Sequence, residues 1–94
     1  MTTLFSHEKD ASRYVMSVDG LLVAVAGYRL NGASISFNHT FTQPAHRGNG
    51  YAAQLLKYAM DDVEANTAKR VLPMCWYVAE WFDANPNRAA LLSR

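Results

Sequence analysis

Ninety-four residues with a formal net charge of +1 suit one small domain, near the lower end of what folds on a hydrophobic core alone. Half of the residues are apolar and 12% are aromatic, so a core can form without disulfides or metal, and the near-neutral charge argues against a general nucleic-acid binder. The single cysteine, Cys75, excludes an internal disulfide and a multi-cysteine zinc site, and it points to a reducing, cytoplasmic compartment.

MTTLFSHEKD, at the start, has no apolar h-region, and the longest apolar run, LLVAVAG, is far short of the ~18 residues of a membrane span. Neither a signal peptide nor a membrane partner is expected. SRYVMSV (12–18) and LLVAVAGYRL (21–30) are β-rich runs separated by Asp19-Gly20. ASISFNHTFT (33–42) follows Asn31-Gly32. Asp-Gly and Asn-Gly supply the positive φ angles of type I′ turns, so two successive hairpins are predicted. The second run is apolar on both faces, as in a strand covered on both sides. In the third, alternation puts Ile35, Phe37, His39 and Phe41 on one face and Ser34, Ser36, Asn38, Thr40 and Thr42 on the other.

Pro44 ends the third strand. From Tyr51 onward the period changes. Ala52, Leu55, Leu56, Ala59, Met60 and Val63 fall on one face of a helix that should end near Asn66. KRVLPMCWY (69–77) reads as a fourth long strand, with Pro73 marking an edge or a bulge. VAEWFDAN (78–85) predicts a short helix stopped before Pro86, and NRAALLSR a last helical turn. The order β-β-β-α-β-α gives an α+β fold with a mixed sheet. An antiparallel meander leads through a crossover helix to a strand parallel to the third.

Between the third strand and the long helix lies PAHRGNGYA (44–52). A helix N-terminus offers backbone N–H groups without intrahelical partners and the positive end of the macrodipole. Gly48, Gly50 and Ala52 are small enough to let an anion approach, and Arg47 adds positive charge. A phosphate cradle and a plain Asn-Gly loop both fit these residues. GNGYAA also fits the dinucleotide string G-x-G-x-x-G/A, but no acidic residue ends the next strand, and the Gly-Lys-Ser/Thr of a Walker loop is absent.

RGNGYA matches Arg/Gln-x-x-Gly-x-Gly/Ala, and here the chain resembles the GNAT superfamily of N-acetyltransferases. Residues 12–92 resemble its smallest, Yjdj-type members. Those carry His-Thr at the strand end, a proline, Arg-Gly-x-Gly, a helix and a later Pro-x-Cys-x-Tyr. Here these are His39-Thr40, Pro44, Arg47-Gly48-Asn49-Gly50 and Pro73-Met74-Cys75-Trp76-Tyr77. The resemblance implies acetyl-CoA as cosubstrate, an amine acceptor of unknown identity, and no metal. It implies that Phe41 and Thr42 offer backbone groups to the pantetheine. Arg47, Gly48, Asn49, Gly50, Tyr51 and Ala52 would hold the pyrophosphate, and Cys75 would lie near the thioester.

Acetyl transfer needs a neutral amine, a polarised carbonyl and a route for the leaving thiolate's proton. His39, Cys75, Tyr77 and Glu80 are the candidate side chains. Cys75 reads as a nucleophile or as a packed, inert thiol. Tyr77 reads as a proton donor or a packed aromatic, and His39 as a catalytic group or a core histidine. Glu80 suits a solvated position, and Trp76, Trp81 and Phe82 a core or groove wall. The N-terminal helices that usually build the acceptor site in larger GNATs are missing, which implies an acceptor groove that is open or supplied by a partner. A CoA-binding module without turnover and a small adaptor with a vestigial loop are the rival readings.

Overall fold

The computed structural model describes residues 2–94. Its strands stand side by side in chain order in one five-stranded sheet. β1 (Thr3–Glu8), β2 (Arg13–Val18), β3 (Leu21–Asn31) and β4 (Ser34–Thr42) are antiparallel, and β5 (Arg70–Pro73) lies parallel to β4 at the edge. Helix α1 (Tyr51–Asn66) makes the crossover, and α2 (Trp76–Ala84) follows β5. Short 3₁₀ segments occupy Lys9–Ala11, Pro44–His46 and Pro86–Leu92. This is the expected α+β fold, with one strand more than the sequence suggested.

That strand is β1. Its register places Thr3, Phe5 and His7 opposite Val18, Met16 and Tyr14. Leu4, Ser6 and Glu8 take the other face. Each face therefore mixes apolar and polar residues, and the two-residue period is hidden in the composition.

Turn chemistry explains the hairpins. Asp19 and Gly20 both have positive φ (52° and 83°), as a type I′ turn requires. The next turn sits one residue later than expected. Asn31 pairs with Ser34, so Gly32 and Ala33 form the loop, and only Gly32 has positive φ. That pattern is type II′, with glycine first.

Two irregularities bend the sheet. One falls between Met16 and Ser17, where Val23 is the extra residue on β3. The other falls between Gly27 and Tyr28. Gly27 pairs with His39 but Tyr28 pairs with Phe37, leaving Asn38 as a bulge on β4. The bulge resets the alternation. Ile35 and Phe37 are buried, whereas His39 and Phe41 are exposed and Thr40 and Thr42 are half-buried. The expectation of one face shared by Ile35, Phe37, His39 and Phe41 is thus wrong beyond Phe37, and His39 is no core histidine.

α1 buries the predicted stripe, Leu55, Leu56, Ala59, Met60 and Val63, against β2, β3 and β4. Val78, Trp81 and Phe82 of α2 and Leu91 belong to the same core cluster. Both helices and the last 3₁₀ segment share this core, and β3 is not covered on both sides as its composition suggested. Val15 is buried yet stands outside the core cluster, on the bare face. β5 is also shorter than expected. Pro73 has no N–H for the ladder, and α2 begins at Trp76.

A polar network joins β1 to α1. His7 stacks on Tyr14 with ring centroids 4.0 Å apart. Its Nδ1 lies 3.3 Å from Asp62 Oδ2, and its Nε2 lies 2.6 Å from the Tyr28 hydroxyl. With the proton on Nδ1, facing the carboxylate, Tyr28 donates to Nε2. Tyr14 donates to Asp62 Oδ2 at 2.6 Å, and Asn66 donates to Oδ1 at 2.7 Å. Burial, then the hydrogen bond to Asp62, holds the Tyr14 hydroxyl far above its ordinary range.

Burial lowers the imidazole pKa of His7 below its ordinary 6.5, against the pull of Asp62. Burial alone would raise Asp62, but hydrogen bonds from Tyr14 and Asn66 and the His7 charge carry it below its ordinary value of 3.8. The folded state thus binds fewer protons than the unfolded chain at both groups. Stability present above about pH 6.5 is lost as pH falls through the folded pKa of His7 and later that of Asp62. Urea titrations across this range should show the loss. Asp62→Ala, which strands the Tyr14 hydroxyl, should cost about 1–3 kcal/mol at neutral pH.

Candidate functional site

The parallel pairing of β4 with β5 stops at Phe37. The amides of Met74 and Cys75 both donate to the Phe37 carbonyl, at 3.1 and 3.0 Å. Beyond it the chain after β5 turns into α2, while β4 runs on to Thr42 paired only with β3. The two strands part, and the β5-facing backbone of Asn38–Thr42 has no ladder partner. Into the opening falls a cleft of about 640 Å³, within the range of small-molecule sites.

One wall of the cleft is the β4 end, Asn38 to Thr42. The second is the loop and first turn of α1, with His46, Arg47, Gly48, Gly50, Tyr51 and Ala52. The third is Cys75, Trp76 and Tyr77. The fold thus brings together every residue singled out for cofactor binding except Asn49, whose Nδ2 donates to the His46 carbonyl at 3.1 Å and braces the loop from behind. His39, Cys75 and Tyr77 all line the cleft. Glu80 does not; it lines a separate groove between α1 and α2, which Tyr77 also borders.

The loop is held at its base. The Gln43 amide donates to the Val23 carbonyl at 2.9 Å, and its side-chain Nε2 donates to the Leu22 carbonyl at 2.8 Å. Arg47 Nε donates to the Thr42 carbonyl at 3.3 Å, which draws the guanidinium across the cleft mouth. Gly48 and Gly50 have φ of 87° and 73°, left-handed values that disfavour residues with a Cβ. A Cβ built on either would meet nothing within 4 Å, so both face open space.

Gly50 is the N-cap of α1. No side chain caps the helix, and its first turn holds no acidic residue. Most helices use Ser, Thr, Asp or Asn for this purpose. No acidic side chain of the first turn offsets the positive helix end, and the residues there line the cleft.

Cys75 is the N-cap of α2, not the end of a long strand as its sequence context suggested. Its Sγ lies 3.4 Å from Thr40 Oγ1. Burial would raise the thiol pKa. The Thr40 hydroxyl, then the amides of Tyr77 and Val78, outweigh burial and lower it below the ordinary 9.0, although no α2 amide closes a full capping hydrogen bond. Proximity to Thr40 depends on the bulge, since without it Thr40 would face away from the helices. Trp76 is 72% exposed and forms a lip of the cleft, whereas Trp81 and Phe82 are buried.

Among the described residues no group of three or more His, Cys, Asp and Glu side chains could hold a metal ion, and no helix is long and apolar enough to cross a membrane. The thiolate character of Cys75 can be measured directly. The pH profile of its alkylation by iodoacetamide should have its midpoint below 9.0. Thr40→Val should move that midpoint upward, and an unchanged midpoint would show that the hydroxyl does not act on the sulfur.

A comparison with known families finds a match to the GCN5-related N-acetyl-transferases over residues 13–91. No curated protein matches the chain. The matched span contains the β4 end, the glycine loop, α1, and Cys75 with the start of α2. The chain belongs to the GCN5-related N-acetyltransferases, a family of acetyl-transferring enzymes.

Proposed function

We propose that the chain binds acetyl-CoA in the cleft and transfers its acetyl group to an amine. The observation that carries this reading is the uncapped, glycine-bounded N-terminus of α1, opening on the gap between β4 and β5. An anionic pyrophosphate suits the loop from Arg47 to Ala52, which joins a helix N-terminus to the Arg47 charge. The edge of β4 at Phe41 and Thr42, which has no β5 partner, suits the amide-bearing pantetheine arm, which would lie as a strand substitute. Its length would carry the thioester toward Cys75. Residues 1–94 act in this reading as a single GNAT-like domain of the small Yjdj type, in the cytoplasm.

The reacting bonds are simple. The amine nitrogen bonds to the acetyl carbon, the carbon–sulfur bond breaks with its electron pair left on sulfur, and the nitrogen gives up a proton. Tyr77 can supply the sulfur's proton, and His39, exposed at the cleft edge, can take the amine's. Cys75 can act as an intermediate acyl acceptor, since its surroundings favour thiolate. The bareness of the sheet face beside His39 favours a second reading, a CoA-binding module without turnover.

Acetyl-CoA should raise the melting temperature, and NAD and ATP should not. Gly50→Val puts a β-branched side chain at φ 73°, where left-handed backbone costs roughly 1–2 kcal/mol, and adds its bulk at a position that lines the cleft. CoA affinity should fall by more than about tenfold, or about 1.4 kcal/mol, while the variant still folds. Wild-type affinity in that variant would place the cradle elsewhere.

Cys75→Ser separates the chemical routes. A hydroxylamine-labile acetyl adduct by intact mass in the wild type, lost together with turnover in the variant, makes the sulfur a nucleophile. Surviving turnover removes Cys75 from the catalytic set. Acetyl-CoA binding without thiol release in the presence of any amine would select the module without turnover.

A further inference from the structure

Across the face of the sheet that no helix covers, the register aligns Glu8, Arg13, Gly27 and His39 in one row. The next row holds Arg29, Ser36 and Leu72, and the one beyond holds Asn31, Ser34 and Arg70. Glu8 is the only carboxylate that the five strands contribute, and it is already paired with Arg13. Arg29 and Arg70 are exposed, and among the described residues neither side chain has an acidic partner. The bare face therefore carries an excess of positive charge although the whole chain is near neutral.

This face is continuous with the cleft. The bulge at Asn38 turns His39 and Phe41 onto it, and both also line the cleft. The His39 side chain lies over Gly27. A Cβ at position 27 would stand 3.6 Å from His39 Cβ and 4.0 Å from its Cδ2. Arg29 follows two residues along the same strand, about 7 Å away.

We infer that the acyl acceptor crosses this bare face and is an amine that also carries an anionic group, a carboxylate or phosphate, which Arg29 binds. The inference rests on the acetyltransferase reading above. With its amine beside His39, such a molecule places its anion over the next row of the sheet, where the unpaired Arg29 guanidinium stands. A polycationic acceptor would meet like charge there and find no free carboxylate.

The test uses isotope-labelled protein, with and without CoA, titrated with γ-aminobutyrate, n-butylamine and spermidine. The first two share an amine on a four-carbon chain and differ in the carboxylate. The amides of Gly27, Arg29 and His39 should respond to γ-aminobutyrate at concentrations at least about fivefold lower than to n-butylamine, and spermidine should leave them unmoved. Arg29→Glu should abolish the difference and Arg29→Lys should keep most of it.

Equal response to n-butylamine, or a response to spermidine, overturns the inference. So does concentration-dependent broadening of these amides without any amine, which would assign the face to a second copy of the chain. Selective binding of γ-aminobutyrate with no thiol release from acetyl-CoA leaves the site standing and removes the acetyltransferase reading. Turnover that does not discriminate among the three amines does the reverse.

Discussion

The Phe37 carbonyl accepts from two amides, Met74 and Cys75, at the point where Pro73 has taken away the ladder's next donor. Continuing the pairing of β4 with β5 by one more pair would close the cleft, so the site depends on this double acceptance. On the β4 side the bulge at Asn38 follows at once. Two local defects, one on each strand, are set side by side, and a sheet that is otherwise regular opens at one edge. The wall residues are then aimed by the same defects: Thr40 toward Cys75, His39 and Phe41 outward.

The opposite edge of the sheet shows how so small a domain anchors the helix that walls that opening. β1 is an edge strand with little apolar area, and Phe5, packed on Tyr58, is its one large inward apolar side chain. The rest of its attachment comes from His7, which satisfies both ring nitrogens while stacking on Tyr14. Buried polar groups are costly unless fully partnered. Here Asp62 accepts from Tyr14 and Asn66 and faces His7, so the network closes. Arg88 ties the last 3₁₀ segment to α1 through Asp61 and Glu64, anchoring the same helix from its other flank. α1 is thus held at its middle and C-terminal turns, and its N-terminus is left for the cleft.

Much of this was legible in the residues. Asp19-Gly20 names its turn type, the stripe from Leu55 to Val63 names a helix face, and the glycines after Arg47 mark a turn that ends no hairpin. What was not legible has identifiable causes. In β1 the inward position of His7 breaks the alternation, because a histidine whose nitrogens are both satisfied can pack like an aromatic. The bulge at Asn38 leaves no mark in the sequence, since it arises from how β4 is shared between β3 and β5. That hidden residue reversed the facing of His39. In the sequence Pro73 reads as an irregularity within a strand, but with both following amides claimed by Phe37 it ends the strand, and Cys75 is a helix cap. Most of the cleft residues could be named from the sequence, but Asn38, His46 and the pairing of Thr40 with Cys75 could not, nor could the directions of the side chains.

The chain's connectivity has a consequence for kinetics. Strands β1 to β4 are joined by short local links, while β5 reaches β4 only after the long crossover from Gln43 to Lys69. Local contacts form early and long-range parallel pairing late, because loop closure must be met before the contacts reward it. The cleft exists only once β5 has docked, so its walls are absent from most of the folding path. A ligand seated there stabilises the native state and not the barrier that precedes it. Occupancy of this site is therefore expected to prolong the lifetime of the folded chain while leaving the speed of folding almost unchanged.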